Sequence, residues 1–128
     1  MSLRSPLGRV LGRGSAKDGV QHWWLQRLTS IALVPLSIGF VASLLGLPAL
    51  DYATLIGWLH QSGTALGLIL FVLVAARHSQ LGVRVVIEDY VHGEGAKVVA
   101  LVLLDFAHLL AAAAAVFAIL KISFGGRL

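Results

Sequence analysis

Three long apolar runs separated by short polar stretches dominate the chain. From Leu28 to Leu47 the only polar side chains are Thr29, Ser30, Ser37 and Ser43. About 20 apolar residues are needed for a helix to cross a hydrocarbon core of about 30 Å, so a first span is predicted over 28–47. Pro35 removes one backbone donor and predicts a kink, and neighbouring helices can satisfy the carbonyl it frees. Gly39 and Ser43 lie one turn apart and suit close helix contact. The turn that follows is "GLPALDYA", with Pro48 and Asp51.

The second run has a clean apolar core from Ala65 to Ala76. His60, Gln61, Ser62 and Thr64 precede it, and Arg77 and His78 follow. Between Ala53 and Asp89 the glycines are isolated and proline is absent, which predicts one uninterrupted helix. At about 1.5 Å per residue it would approach 50 Å and outrun the hydrocarbon core, so one end must protrude. The second span is placed at 55–88. "HGEGAK" is the next turn, and a third span is predicted over 98–122, interrupted only by Asp105 and His108. Residues 1–27 form a polar, basic arm rich in Gly and Ser and are read as irregular. The arm ends in "HWWLQR", whose Trp23 and Trp24 suit a membrane interface. The expected fold class is all-α: an N-terminal arm, then a three-helix transmembrane domain over 28–128.

Composition strengthens this reading. Of 128 residues 58% are hydrophobic and 12% charged, and the mean hydropathy is +0.88. That is too little polar material to cover a soluble domain, and no room is left for a separate soluble catalytic domain. The first apolar run is longer than the core of a signal peptide and is read as a permanent span. With no cysteine, the chain cannot itself carry disulfides, thiolate-held iron–sulfur clusters or covalently attached c-type haem.

Charge sets the expected orientation. Arg4, Arg9, Arg13, Lys17, Arg27, Arg77, Arg84 and Lys97 fall on one side of a three-span arrangement, and Lys121 and Arg127 on the other. The positive-inside rule then puts the N-terminus and the 77–97 region in the cytoplasm, or on the equivalent matrix side. The basic arm suits anionic lipid or a protein docked on that face, and nucleic acid is not an expected partner of a chain committed to the bilayer.

The candidate chemistry lies in "HSQLGVRVVIEDYVHGEGAK", residues 78–97. Asp89 follows His78 by eleven residues, which returns it to within about 20° of the same helix face. Gly82 and Gly67 join that stripe, while Arg84 points nearly opposite. A histidine with a glycine one turn on lets a flat macrocycle approach a helix, the ring nitrogen reaching the iron. An interfacial, hydrogen-bonded histidine has the same spacing. Tyr90 beside Asp89 forms a phenol–carboxylate pair able to bond a quinone carbonyl near the membrane surface, or simply a belt tyrosine on a solvated helix end. Asp105 and His108 share a face of the third span. An intramembrane acid needs a partner, so they read either as a proton relay or as packing hydrogen bonds, to each other or to another chain. Lys97 is expected to snorkel.

The order His78, Gly82, Asp89, Tyr90, the ending "VIEDYVH" and the opening "HWWLQRLTSIALVPLS" together resemble the small hydrophobic membrane anchor of succinate dehydrogenase, respiratory complex II, of the alphaproteobacterial and mitochondrial type. The resemblance covers most of the chain from about Gly19. It implies packing with a second hydrophobic anchor subunit, and one haem b shared between the two. In that pattern His78 is an axial ligand of the haem iron, Gly82 gives the haem clearance, and Arg27 lies near a haem propionate. Tyr90 bonds ubiquinone, with Asp89 supporting it. Some relatives carry a histidine before that arginine; here Gln21 holds its place and His22 follows one residue later. The resemblance also implies two further partners, an iron–sulfur protein and a flavoprotein, together with a bacterial inner-membrane location and immersion of roughly 63–86. The isolated chain would hold no catalytic residue, and the reaction would belong to the complex. Alternatives are the anchor of a quinol:fumarate reductase, or a non-redox membrane assembly or transport subunit.

Overall fold

The structure, a computed structural model, describes residues 16–125. Four helices follow one another: α1 (Ala16–Leu45), α2 (Tyr52–Leu59), α3 (Ser62–Tyr90) and α4 (Glu94–Ser123). Among the described residues there is no strand. Three of the helices, α1 from Val20 onward, α3 and α4, are long and apolar enough to cross a membrane.

Two boundaries differ from the sequence reading. Helix α1 begins at Ala16, not Leu28, so the polar stretch from Ala16 to Arg27 is helical. Gly and Ser cost helix propensity, but the 16–27 stretch contains one Gly and no Pro, and it continues a strongly apolar helix. Arg4, Arg9, Arg13 and Arg127 lie outside the described residues. Helix α1 runs without a break through Pro35 and stops shortly before Pro48.

The second difference is a break at His60 and Gln61. The predicted uninterrupted helix is two helices, because Gln61 is extended (φ −72°, ψ 122°) and starts α3 afresh. His60 N–H closes α2 on the Ile56 carbonyl, and its ring Nδ1 lies 3.1 Å from the Ser123 carbonyl at the end of α4. That tie, together with buried Trp58, seats α2 against the bundle. Trp58 meets Phe40 of α1 at 6.2 Å between ring centroids, and Phe40 stacks on Phe71 of α3 at 5.4 Å. No single residue between 53 and 89 announces the break, since it is made by contacts from α4 and α1.

Asp51 starts α2. Its Oδ1 accepts the Thr54 N–H at 2.8 Å, and that bond holds the carboxyl below the usual carboxylate range. A cap with a lowered pKa supports the helix fully at neutral pH and loses that support as pH falls through the depressed value. Asp51→Ala is expected to speed amide exchange over residues 52–56 while leaving the centre of α3 unchanged. Unaltered exchange at 52–56 would show that the cap does not hold the start of α2.

Helix α3 is central. It packs along α4 on one side and α1 on the other, while α1 and α4 do not pack directly on each other. Among the described residues only Trp58, Ala65, Leu81 and Leu104 are buried. Large apolar side chains such as Ile31, Ile38, Leu45, Leu109 and Leu110 face outward. A water-facing surface of that kind would be costly, at about 25 cal/mol per Å² of apolar area; against lipid or a partner helix it is not.

Candidate functional site

His78 sits half-buried on α3 at its contact with α1. Its Nδ1 lies 3.0 Å from Thr29 Oγ1, and its Nε2 lies 3.5 Å from the Gln26 side-chain nitrogen. The Thr29 hydroxyl has one proton and donates it back to its own helix, to the Leu25 and Gln26 carbonyls at 2.8 and 3.0 Å. Thr29 is then an acceptor for His78, so Nδ1 carries the imidazole proton and Nε2 keeps its lone pair. A histidine anchored through Nδ1, whose Nε2 meets only the Gln26 amide at 3.5 Å, is arranged as a metal-ligating histidine is once that amide turns away.

The space around Nε2 has one wall that can move. A side chain added at Gly82 would meet only Gln26 Nε2, at 3.7 Å. The same glutamine therefore covers both the Gly82 notch and the His78 lone pair. Gln26 Oε1 is shielded and has no hydrogen-bond partner, so the 3.5 Å contact with His78 is the amide's one polar contact among the described residues. Turning that one side chain away opens Nε2 and the notch together. The residues present thus fit a flat iron macrocycle. The described residues hold no group of three or more His, Asp or Glu side chains placed for a metal ion, so a metal at His78 would take its other ligands from elsewhere.

The remaining residues of the sequence reading are not gathered here. Arg27 lies over the Trp23 ring at 4.3 Å from its centroid. Asp89 and Tyr90 end α3, about 18 Å along the axis from His78. Both are exposed, Tyr90 by 77%. Lys97 Nζ reaches back from the first turn of α4 to the Glu88 carbonyl at 2.9 Å, putting a cation on the C-terminal end of α3. Gly67 lines a separate cavity of about 310 Å³ with Pro35, Gly39, Ser43, Trp58 and Thr64.

On the opposite face of α3 lies a cluster whose pairing the sequence reading did not anticipate. The Arg84 Nη2 donates to both Asp105 oxygens, at 3.0 and 2.8 Å. Gln80 Nε2 donates to Asp105 Oδ1 at 2.7 Å, and Arg77 Nη1 donates to Gln80 Oε1 at 2.6 Å. Asp105 and His108 do not bond to each other. His108 Nδ1–H bonds its own helix at the Leu104 carbonyl, so its Nε2 accepts from the Ser79 hydroxyl at 3.2 Å. The signal was present: Arg77, Gln80 and Arg84 recur at helical spacing (i, i+3, i+7) on one stripe of an apolar helix. Its meaning depends on Asp105, 21 residues past Arg84.

Comparison with known proteins supplies the family. The family model for the succinate dehydrogenase/fumarate reductase transmembrane subunit matches residues 1–120. The chain is 35% identical over 89 residues to a succinate dehydrogenase hydrophobic membrane anchor subunit of Rickettsia bellii, covering 70% of this chain and 71% of that one. It is 31% identical over 125 residues to the protein of that description in Paracoccus denitrificans, covering 98% of this chain and 96% of the relative. A succinate dehydrogenase membrane anchor subunit of Reclinomonas americana is 32% identical over 93 residues, covering 69% and 76%. With three membrane-length helices and these matches, the chain is a multi-pass membrane protein belonging to the succinate dehydrogenase/fumarate reductase transmembrane subunit family.

Proposed function

We propose that this chain is the membrane anchor of a succinate:ubiquinone oxidoreductase and supplies one axial ligand of a shared haem b and part of the ubiquinone site. In the assembly, succinate is oxidised on a flavoprotein subunit. Two electrons pass through an iron–sulfur subunit to ubiquinone, which takes up two protons. A second anchor subunit completes the haem cage and the quinone pocket. The N-terminus and the α3–α4 turn face the cytoplasm of a bacterial inner membrane, where the soluble subunits dock.

The observation that carries this reading is the setting of His78, held through Nδ1 by Thr29, with Nε2 and the Gly82 notch behind one movable side chain. His78 Nε2 would bind the iron, and Arg27, released from Trp23, would reach a propionate. When bound, the haem would supply a one-electron store for the quinone reaction. This chain's own residues do the rest. Thr29 keeps the imidazole in its ligating tautomer. The Tyr90 phenol, which makes no hydrogen bond among the described residues, donates to a quinone carbonyl as negative charge builds on that oxygen. Asp89, next in sequence and equally exposed, tunes the phenol's hydrogen bonding.

Purification through a tag on this chain tests the reading. The flavoprotein, the iron–sulfur protein and the second anchor are expected to travel with it, and the reduced-minus-oxidised spectrum is expected to show a b-type band. A pure complex without that band would remove the haem role and favour a haem-free relative; a chain that travels with no redox partner would favour an assembly or transport role. The family description also covers fumarate reductases. Midpoint potentials and the quinone that co-purifies separate that second reading, in which the same residues serve the reverse reaction.

A further inference from the structure

Helix α3 is held from both sides within two turns. Toward α1 it uses His78, and toward α4 it uses Ser79, Gln80 and Arg84. Arg84 lies six residues after His78, about 240° around the helix axis, so the two side chains leave on different faces. Between helices in lipid there is no hydrophobic drive, because the solvent is as apolar as the side chains. Rotation about the helix axis is then set by packing and by polar pairs. Packing constrains it weakly at this level: of residues 77–84 only Leu81 is buried. The polar pairs on the α4 side converge on a single group, the Asp105 carboxylate, which receives three donor contacts from two α3 side chains. The amide of Gln80 is itself oriented, since its oxygen is taken by Arg77.

We propose that Asp105 is a positioning residue: by binding Gln80 and Arg84 it sets the rotation of α3 and so aims His78 on the other face. Losing the carboxylate frees α3 to turn, and an imidazole on the far side of the axis swings with it. Asp105 acts only through α3. The consequence for haem rests on the reading of His78 as its ligand, whereas the consequence for helix rotation does not.

The test uses the assembled complex in its membrane. The chain has no native cysteine, so the pair Ser79→Cys and His108→Cys, placed where Ser79 Oγ and His108 Nε2 lie 3.2 Å apart, reports the α3–α4 register through a short bifunctional thiol cross-linker, read by peptide mass spectrometry. Adding Asp105→Leu is expected to lower the rate of that cross-link by about threefold or more. The exchange Arg84→Asp with Asp105→Arg is expected to return it to within about twofold of the parent. Without the cysteines, Asp105→Leu is expected to shift the haem electron-paramagnetic-resonance signal, and the charge exchange to restore it. If Asp105→Leu prevents assembly, Asp105→Asn, which keeps an acceptor for Gln80 but loses the charge for Arg84, is measured instead; the same changes in smaller degree are expected. An unchanged cross-link rate in the assembled variant overturns the proposal. So does a slowed cross-link with an unaltered haem signal, because His78 would then not follow the helix. A parent complex lacking a b-type band removes the haem reading alone, and the cross-link still decides the rotation.

Discussion

His78→Ala, introduced into the complete complex, is expected to remove the b-type band or shift it to that of a haem with one protein ligand missing. Succinate oxidation by artificial dyes should remain within about twofold of the parent, because on the proposed function that activity would belong to soluble subunits and need only an assembled anchor. The size of the effect follows from the geometry. The imidazole brings an Nε2 lone pair to that position, and alanine offers none. Thr29 loses a donor, but its hydroxyl stays bonded to the Leu25 and Gln26 carbonyls; the Gln26 amide loses its acceptor at 3.5 Å. The loss in chain stability is that of two neutral hydrogen bonds, to Thr29 and Gln26, about 1 kcal/mol each at most. Haem loss and folding loss therefore separate, and the dye-linked rate reports the second. An unaltered haem spectrum in His78→Ala would show that the iron is held elsewhere.

Tyr90→Phe has the second large expected effect, on the quinone and not on the haem. The substitution keeps the ring and deletes one hydroxyl. That hydroxyl is exposed and makes no hydrogen bond among the described residues, so its removal should cost the chain almost nothing. If it donates to a quinone carbonyl whose charge grows during reduction, its loss raises the barrier by about 1–3 kcal/mol, roughly fivefold to a hundredfold in ubiquinone reductase rate. Haem content and dye reduction should be unchanged. Ubiquinone kinetics equal to those of the parent would take Tyr90 out of the site and leave it an interfacial tyrosine.

The two variants probe different ends of α3. His78 and Tyr90 are about 18 Å apart along one helix, and nothing in this chain folds the second toward the first. A site that includes both would be completed by surfaces outside this chain; the outward-facing apolar side chains of α1 and α4 suit lipid or a partner helix alike. The residues that hold α3, from Thr29 to Asp105, set what such a partner meets.

The class and the number of spans were legible without coordinates, because membrane-length apolar runs and scarce charge leave a helix as the only low-cost state for the backbone in lipid. Helical periodicity is local, so it also put His78 and Gly82 on one stripe and Arg84 on another. How far the first helix extends was not legible, nor that the second run breaks at His60 and Gln61. Those ends depend on neighbours: the Ser123 carbonyl that His60 meets and the aromatic cluster that seats Trp58. Partners were equally out of reach. Asp105 stood out as an acid in need of a donor, with His108 three residues away or another chain as the options, but its donor is Arg84, twenty-one residues before it. It took the packing of α4 along the back of α3, and of α1 along its front, to give Asp105 to Arg84 and Gln80 and His78 to Thr29. In lipid those choices carry unusual weight, because few polar groups are available and an unpaired one has no water to turn to.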